Sequence, residues 1–243
     1  MQHQRAFTRK PGEQRRQIAN RRAAELREEI SDYQKAKASI PTGFDLAERT
    51  ARQKERLLSV LGGTHQDWND WQWQLDNRID QVEVLAKVLE LSSKERRAIE
   101  KVGKTYRWAI SPYYASLIGA DETCPIRKQA VPSSFELECG GEMDPMAEEY
   151  TSPAPGITRR YPDRLIINVT NQCAMFCRHC QRRRLIGEQD HHSQQGKLAA
   201  ALDYIRKNPE IRDVLLTGGD ALLLSDGDID WLLTELERIS HVE

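Results

Sequence analysis

"RLIINVTNQCAMFCRHCQRRR" (residues 164–184) sets an apolar run directly against a cysteine cluster. Its first seven residues are short, apolar and rich in β-branched side chains, which predicts a buried strand over 164–170. The chain then enters a loop carrying Cys173, Cys177 and Cys180, with arginines between and after them. A second apolar run, "DVLLTGGD" (213–220), predicts another buried strand that ends in glycines. Between the two, Leu198, Leu202 and Ile205 recur at helical spacing over 195–207. Beyond them, Ile229, Leu232, Leu233 and Leu236 form an i, i+3, i+4, i+7 stripe with Asp228 as its expected cap. Strand, loop and helix thus occur twice in succession. That order predicts a parallel α/β architecture with function in the loops that follow the strands. The two informative loops, 171–184 and 217–221, both fall at those ends. No internal repeat is seen beyond these two units.

Upstream the character differs. Residues 1–39 are charged and helix-prone, as a solvated helix or loose arm would be. "SIPTG" (39–43) interrupts them, and a helix is expected over 44–61 before Gly62 and Gly63. "DWNDWQWQLDNRID" (67–80) offers Trp68, Trp71 and Trp73 to a core or a subunit contact. Leu85, Val88 and Leu89 mark one face of a short helix, and "SSKE" (92–95) is a capping-box pattern opening the next. An aromatic-rich segment (106–119) turns at Pro112. Six prolines and a Gly-Gly pair then make 120–163 read as an irregular connector containing a domain boundary. The expected organisation is a helical region over 1–119, the connector over 120–163, and an α/β region over 164–243. Cys124 and Cys139, in the connector, have no metal-like spacing and read as ordinary thiols.

Composition narrows the class. The 243 residues are 39% hydrophobic and 30% charged, which supplies a core for one large domain or two small ones. A net charge of −1 gives no global field for nucleic acid or an anionic membrane. The polar N-terminus is not a signal peptide, and no run of roughly 18 apolar residues predicts a membrane span. Five clustered cysteines do not form a secreted disulfide pattern. A soluble cytoplasmic protein is expected.

Three thiols at this spacing admit several readings. A structural zinc ion wants four ligands, and His179 could be recruited as the fourth. Three unrelated buried cysteines are a second reading, although such clustering is unusual without a ligand. An iron–sulfur cluster is the third. A four-iron cluster normally takes four cysteines, so three would leave one iron open to another ligand. Gly218 and Gly219 permit positive φ and close backbone approach, and Asp220 can accept from an ammonium group. An RNA-binding reading of "RRR" (182–184) lacks a surrounding basic stripe.

The cysteine spacing after a first strand, in register with "TGGD" (217–220) after the second, resembles the radical S-adenosylmethionine superfamily. The resemblance implies that Cys173, Cys177 and Cys180 hold a [4Fe–4S] cluster whose open iron chelates S-adenosylmethionine. Reductive cleavage then gives a 5′-deoxyadenosyl radical. It implies that His179 touches the adenine, and that Gly218, Gly219 and Asp220 receive the methionine amino group. "TSPAPGITRRYPDRLIINVTNQCAMFCRHCQRRRLIGEQD" (151–190) and "EIRDVLLTGGDALLLSD" (210–226) narrow it to the amino-acid 2,3-aminomutases, which also use pyridoxal phosphate. Arg160, Tyr161 and Arg164 of "RRYPDR" are then expected to hold the pyridoxal phosphate group, a role for which arginine is well suited. Arg182 corresponds to the ligand of the substrate α-carboxylate. Arg178, Arg183 and Arg184 are left to balance cluster charge or form salt bridges.

The likeness is greatest to the glutamate branch, through "SIPTGFDLAERT" (39–50), "DWNDWQWQLDNRID" and "VGKTYRWAISPYYASL" (102–117). It implies conversion of L-glutamate to β-glutamate, with lysine as the runner-up substrate. The family is oligomeric, its partners being a small amino acid and further copies, with neither nucleic acid nor membrane. The implied fold is a helical region followed by the first two βα units of a partial (β/α)6 barrel. The lysine that forms the Schiff base with pyridoxal phosphate has no counterpart here, since Lys197 and Lys207 lie on the first crossover helix. A chain ending at "ERISHVE" (237–243) is therefore expected to be inactive alone. A non-catalytic cluster-binding remnant or an interaction subunit is the alternative of another class.

Overall fold

A computed structural model describes residues 12–138 and 140–243. The first part of the charged N-terminal stretch and Cys139 lie outside the described residues. The chain divides into two compact units, Met1–Arg49 and Thr50–Glu243.

The first unit contains the helices Gly12–Glu29 and Ser31–Ser39, neither of which buries a residue. Arg22 Nη1 lies 3.3 Å from both Glu25 and Glu29, exposed pairs worth a few tenths of a kcal/mol each. The following helix, Ala47–Leu61, starts later than the sequence predicts because Thr42 and Asp45 first close a turn through their side chains.

The second unit has two cores. In the first, Leu57, Ile79, Leu85, Ile99, Ile110 and Ile118 are almost wholly buried. The helices Val82–Val88 and Ser93–Gly103 contribute to it. The capping box is present: Ser92 accepts from the Glu95 N–H, and Glu95 accepts from the Ser92 N–H at 2.8 Å. Pro112 opens a short helix, Pro112–Ser116, capped by Ser111. Of the three tryptophans, Trp68 packs on this core, Trp73 lies against Gly63, and Trp71 is exposed.

The second core lies beneath a three-stranded sheet ordered β1 (Ile157–Thr158), β2 (Arg164–Thr170) and β3 (Asp213–Gly218). β2 and β3 are parallel, with Leu165 opposite Val214 and Ile167 opposite Leu216. The helix Gln195–Arg206 forms the crossover, and Asp226–Glu237 follows β3. Side chains alternate across a strand. Leu165, Ile167 and Val169 therefore face the buried core with Leu198, Leu202, Leu232 and Leu236. Ile166 and Asn168 point to the other face beside Leu215, which is exposed. One face of the sheet is thus covered and the other is open.

Three expectations need correction. The connector is not wholly irregular: it contributes β1, which pairs antiparallel with β2, and the short helix Pro125–Ala130. The second strand ends at Gly218 and none of its residues is fully buried: the Gly219 N–H turns to Thr170 O and the Asp220 N–H to Gln172 O instead of extending the ladder. The last helix is capped by Ser225, whose hydroxyl accepts from the Asp228 N–H, so Asp228 is inside the helix. Cys124 caps the Pro125–Ala130 helix, and its sulfur accepts from the Gly119 N–H at 3.3 Å. No helix among the described residues is long and apolar enough to cross a membrane.

Ile167 is fully buried between the two helices that flank β2 and β3. Ile167→Ala should lower unfolding free energy by about 2–5 kcal/mol. Urea titration checks this, and a loss under about 0.5 kcal/mol would show that Ile167 is not part of a close-packed core.

Candidate functional site

The site is built where β2 and β3 end. A Cβ on Gly218 would meet the Thr170 carbonyl oxygen at 2.3 Å, and one on Gly219 would meet that of Gln172 at 2.2 Å. Both obstacles are backbone, so no side-chain rotation relieves them. Gly218 also has φ of +125°, a conformation open to glycine and strained for other residues. With no side chains in the way, Gly219 donates to Thr170 O, and Asp220 donates to Gln172 O at 2.8 Å. The glycine loop is therefore bonded directly to the start of the cysteine loop.

Asn171 locks the same point from the other side. It is buried, and its amide donates to Ile186 O at 2.7 Å and Gln189 O at 2.9 Å. Its side-chain oxygen accepts from His191 N at 2.7 Å. Thr170 and Asn171 thus tie residues 186–192 to the end of β2.

Cys173, Cys177 and Cys180 are half-buried and line one cavity of about 640 Å³ together with Met175, Phe176, Arg107, Arg178, Arg183 and Arg184. Burial pushes the Cys173 thiol up to about 11, assisted by the Asp220 carboxylate and then by the neighbouring Cys180 and Cys177. Burial, followed by Cys180, also raises Cys177. A metal centre would have to displace the protons that this burial favours on Cys173 and Cys177. Among the described residues no three His, Cys, Asp or Glu side chains gather closely enough for a single metal ion. The three thiols share the lining of one cavity, and thiolate is the donor that iron–sulfur clusters take. Arg107 Nη1 and Arg184 Nε, from two lining arginines, are buried without a hydrogen-bond partner. Both guanidiniums are otherwise paired, Arg107 with Asp190 and Arg184 with Asp144 and Glu148, so each leaves one unused donor, which suits an acceptor-rich occupant of the cavity. Three thiols with such donors beside them fit an iron–sulfur cluster.

The loop arginines are held by acids of the connector. Glu136 accepts from Arg178 Nε at 3.1 Å and Nη2 at 2.7 Å, and its second oxygen also lies 2.9 Å from Arg183. Glu148 accepts from Arg182 Nε at 3.1 Å and Nη2 at 2.9 Å, and faces Arg184 at 3.6 Å. Glu148 is buried, and the preceding Ala147 adopts a left-handed φ of 51°. From the helical region, Arg78 donates to Cys173 O at 2.7 Å and pairs with Asp190, which Arg107 also contacts at 2.7 Å. Burial pushes the Asp190 carboxyl up, but Arg78 and then Arg107 outweigh it and hold the group below its ordinary value of 3.8.

The residues singled out in the sequence fall into separate groups. The three cysteines and the Gly218–Asp220 loop come together. His179 is exposed on the cysteine loop, and Asp220 uses its carboxylate to accept from Leu222 N at 3.1 Å. Arg182 sits on Glu148. Arg160, Tyr161 and Arg164 are exposed at the opposite end of β2, roughly 20 Å along a seven-residue strand from the cysteine loop. There the Arg164 guanidinium stacks over the Tyr161 ring at 5.6 Å. Arg78, Arg107, Glu136, Glu148, Asn171 and Asp190 were not found from the sequence. The excess of arginine in one short loop was the available sign that distant acids must meet it.

Comparison with known proteins finds relatives over most of this chain. The glutamate 2,3-aminomutase of Clostridioides difficile is 53% identical over 228 residues, covering 93% of this chain and 54% of that protein. The L-lysine 2,3-aminomutase of Clostridium subterminale is 47% identical over 180 residues, 73% of this chain and 43% of that protein. That of Bacillus subtilis is 44% identical over 184 residues, 72% and 38% respectively. The chain spans about half the length of the curated relatives it matches. No protein-family model matches it. The chain is a homologue of the glutamate and lysine 2,3-aminomutases.

Two outcomes follow from the site. Gly219→Ala should separate the two loops and cost about 1–3 kcal/mol in unfolding free energy. An alanine variant as stable as the parent would show that the contact is not close. Asp190 keeps its charge in the folded chain at pH values where the unfolded chain has begun to bind a proton. Its contribution is complete above about pH 5 and fades as pH falls through a folded-state value lower than 3.8. The stability difference between wild type and Asp190→Asn should therefore shrink from about pH 6 to about pH 3. A difference that stays constant across that range would count against the ion pair.

Proposed function

We propose that this chain carries the radical-initiating part of a radical S-adenosylmethionine, pyridoxal-phosphate-dependent 2,3-aminomutase, an isomerase. The observation that carries the reading is the cavity shared by Cys173, Cys177 and Cys180, with the Gly218–Gly219 loop bonded to its rim. Its sequence context supports the same reading, because the relatives that match are aminomutases.

In this reading the three thiolates hold a [4Fe–4S] cluster, leaving one iron for S-adenosylmethionine. Cluster and S-adenosylmethionine would together supply a carbon radical, and pyridoxal phosphate would carry the amino group as it moves from C2 to C3. The chain's own residues bind and orient. Gly218 and Gly219 close the loop against Thr170 and Gln172, which would set this loop to receive a ligand amino group, with Asp220 offering a carboxylate. His179 is placed on the loop to meet the adenine. Arg182 has its Nε and one face of Nη2 engaged by Glu148, which orients the guanidinium for the substrate α-carboxylate. Arg160, Tyr161 and Arg164 bind the pyridoxal phosphate group from the far end of β2. The open face of the sheet, with Ile166, Asn168 and Leu215, is read as the inner wall of a partial (β/α)6 barrel along which the cofactor lies.

Glutamate is the favoured substrate, giving β-glutamate. The match to the glutamate enzyme reaches 93% of this chain, whereas matches to the lysine enzymes of C. subterminale and B. subtilis reach 73% and 72%. Lysine is the second reading, supported by identities of 44–47% to those two enzymes. A cytoplasmic location and self-association belong to the same proposal.

Anaerobic reconstitution with iron and sulfide tests the core of it. The wild-type chain should bind about four irons, and with reductant and S-adenosylmethionine it should release 5′-deoxyadenosine. Cys177→Ala should lose both signals, and a full four-iron complement in that variant would remove Cys177 from the ligand set.

A further inference from the structure

We infer that Arg78, Asp190 and Arg107, none of them in the cysteine motif, form a charged clamp that positions Cys173 and sets the electrostatic environment of the cluster. The inference rests on the cluster reading above. Its basis is the complete use of one guanidinium. Arg78 Nε donates to Leu75 O at 3.0 Å, Nη1 donates to Cys173 O at 2.7 Å, and Nη2 pairs with Asp190. Every nitrogen of a planar, rigid fork is engaged, which fixes the Cys173 carbonyl against the helical region. Lysine, with one nitrogen at its tip, cannot reproduce that three-way contact.

Asp190 does more than neutralise Arg78. It also faces Arg107 at 2.7 Å, so one carboxylate gathers two cations. Both guanidiniums lie over the ring of Phe176, at 5.7 Å for Arg78 and 4.5 Å for Arg107. Phe176 is buried, sits between Cys173 and Cys177 in the chain, and donates its backbone N–H to Ala109 O at 3.1 Å. Backbone bridges join Ile79 to Ile110 and Ile110 to Met175, so the loop is gripped by main chain as well as by charge. The clamp is one positive charge in excess, and its three side chains are each less than a quarter exposed. Away from bulk water a charge acts more strongly on a neighbouring redox centre. A net cation favours the reduced, more negative cluster, and so raises its reduction potential.

Position and charge can be separated by experiment. Wild type, Arg78→Met, Arg78→Lys and Asp190→Asn are each reconstituted anaerobically. Retention of iron against a chelator reports loop positioning, and a dye-mediated titration followed by electron paramagnetic resonance gives the reduction potential. All three variants should hold the cluster less well, Arg78→Met by about ten- to a hundredfold. Their potentials should diverge: Arg78→Met lower than wild type, Asp190→Asn higher, and Arg78→Lys near wild type. A merely structural role predicts weaker retention with no such opposition of sign. Potentials that move together, or not at all, would overturn the proposal. If Arg78→Met does not fold, as circular dichroism would show, Arg78→Lys and Asp190→Asn carry the same test. A wild-type chain that takes up no four-iron cluster would overturn the underlying cluster reading.

Discussion

The closest backbone contact in the site, where Gly218 and Gly219 pass Thr170 and Gln172, constrains everything around it. Two parallel strands normally keep a regular separation, but here their ends converge until main-chain atoms alone fill the gap. The register already shifts between Asn168 and Thr170, which lets the end of β2 bend toward the glycines. The cysteine loop therefore begins from a fixed point. Its first cysteine is three residues beyond Thr170, and the Asp220 N–H is close enough to Cys173 to act on its thiol. A longer side chain at either glycine would move the loop away from the very backbone that orients it.

From that fixed point the loop is held on two other sides. The helical region supplies Arg78, Arg107 and the backbone of Ala109 and Ile110. The connector supplies Glu136 and Glu148, each facing two loop arginines. Buried pairs of this kind add little net stability, because desolvation offsets most of the attraction. Their effect is on geometry: each carboxylate orients two loop arginines at once, so the loss of one acid releases both side chains together. The left-handed Ala147 fits this view, since a strained residue is retained where it delivers Glu148 into the interior.

The parts legible in the sequence are those with a local signal. β2 lies over 164–170 as its apolar run predicts, the crossover helix follows its 3.6-residue period, and Ser92 caps as its spacing with Glu95 requires. The cysteine triplet and the glycine pair were legible because close spacing in sequence limits what such residues can do. Ser225 was passed over for Asp228 because both are good caps, and only the chain direction at Ser225 decides between them. β1 was missed because two residues carry no period. The clamp of Arg78 and Asp190 spans 112 positions, and an isolated arginine or aspartate looks like any solvated charge. Long-range polar pairs of this kind leave no pattern in one sequence.

The same distinction explains why the arginines needed the fold to be understood. Read alone, "RRR" offers three cations to any anion. In place, Arg183 lies over the Tyr106 ring at 4.5 Å and beside Glu136, Arg184 faces Asp144 and Glu148, and Arg182 is held by Glu148. Three adjacent residues are thus turned to different surroundings by the acids that meet them. Arg182 differs from the other two in that Glu148 takes only its Nε side, and its side chain keeps about a quarter of its exposure. A guanidinium anchored at one edge and open at another is pre-organised for a second carboxylate. The connector, by supplying that anchor, orients Arg182 as well as the cysteine loop, and under the proposed function an acid in a proline-rich segment would bear on substrate recognition.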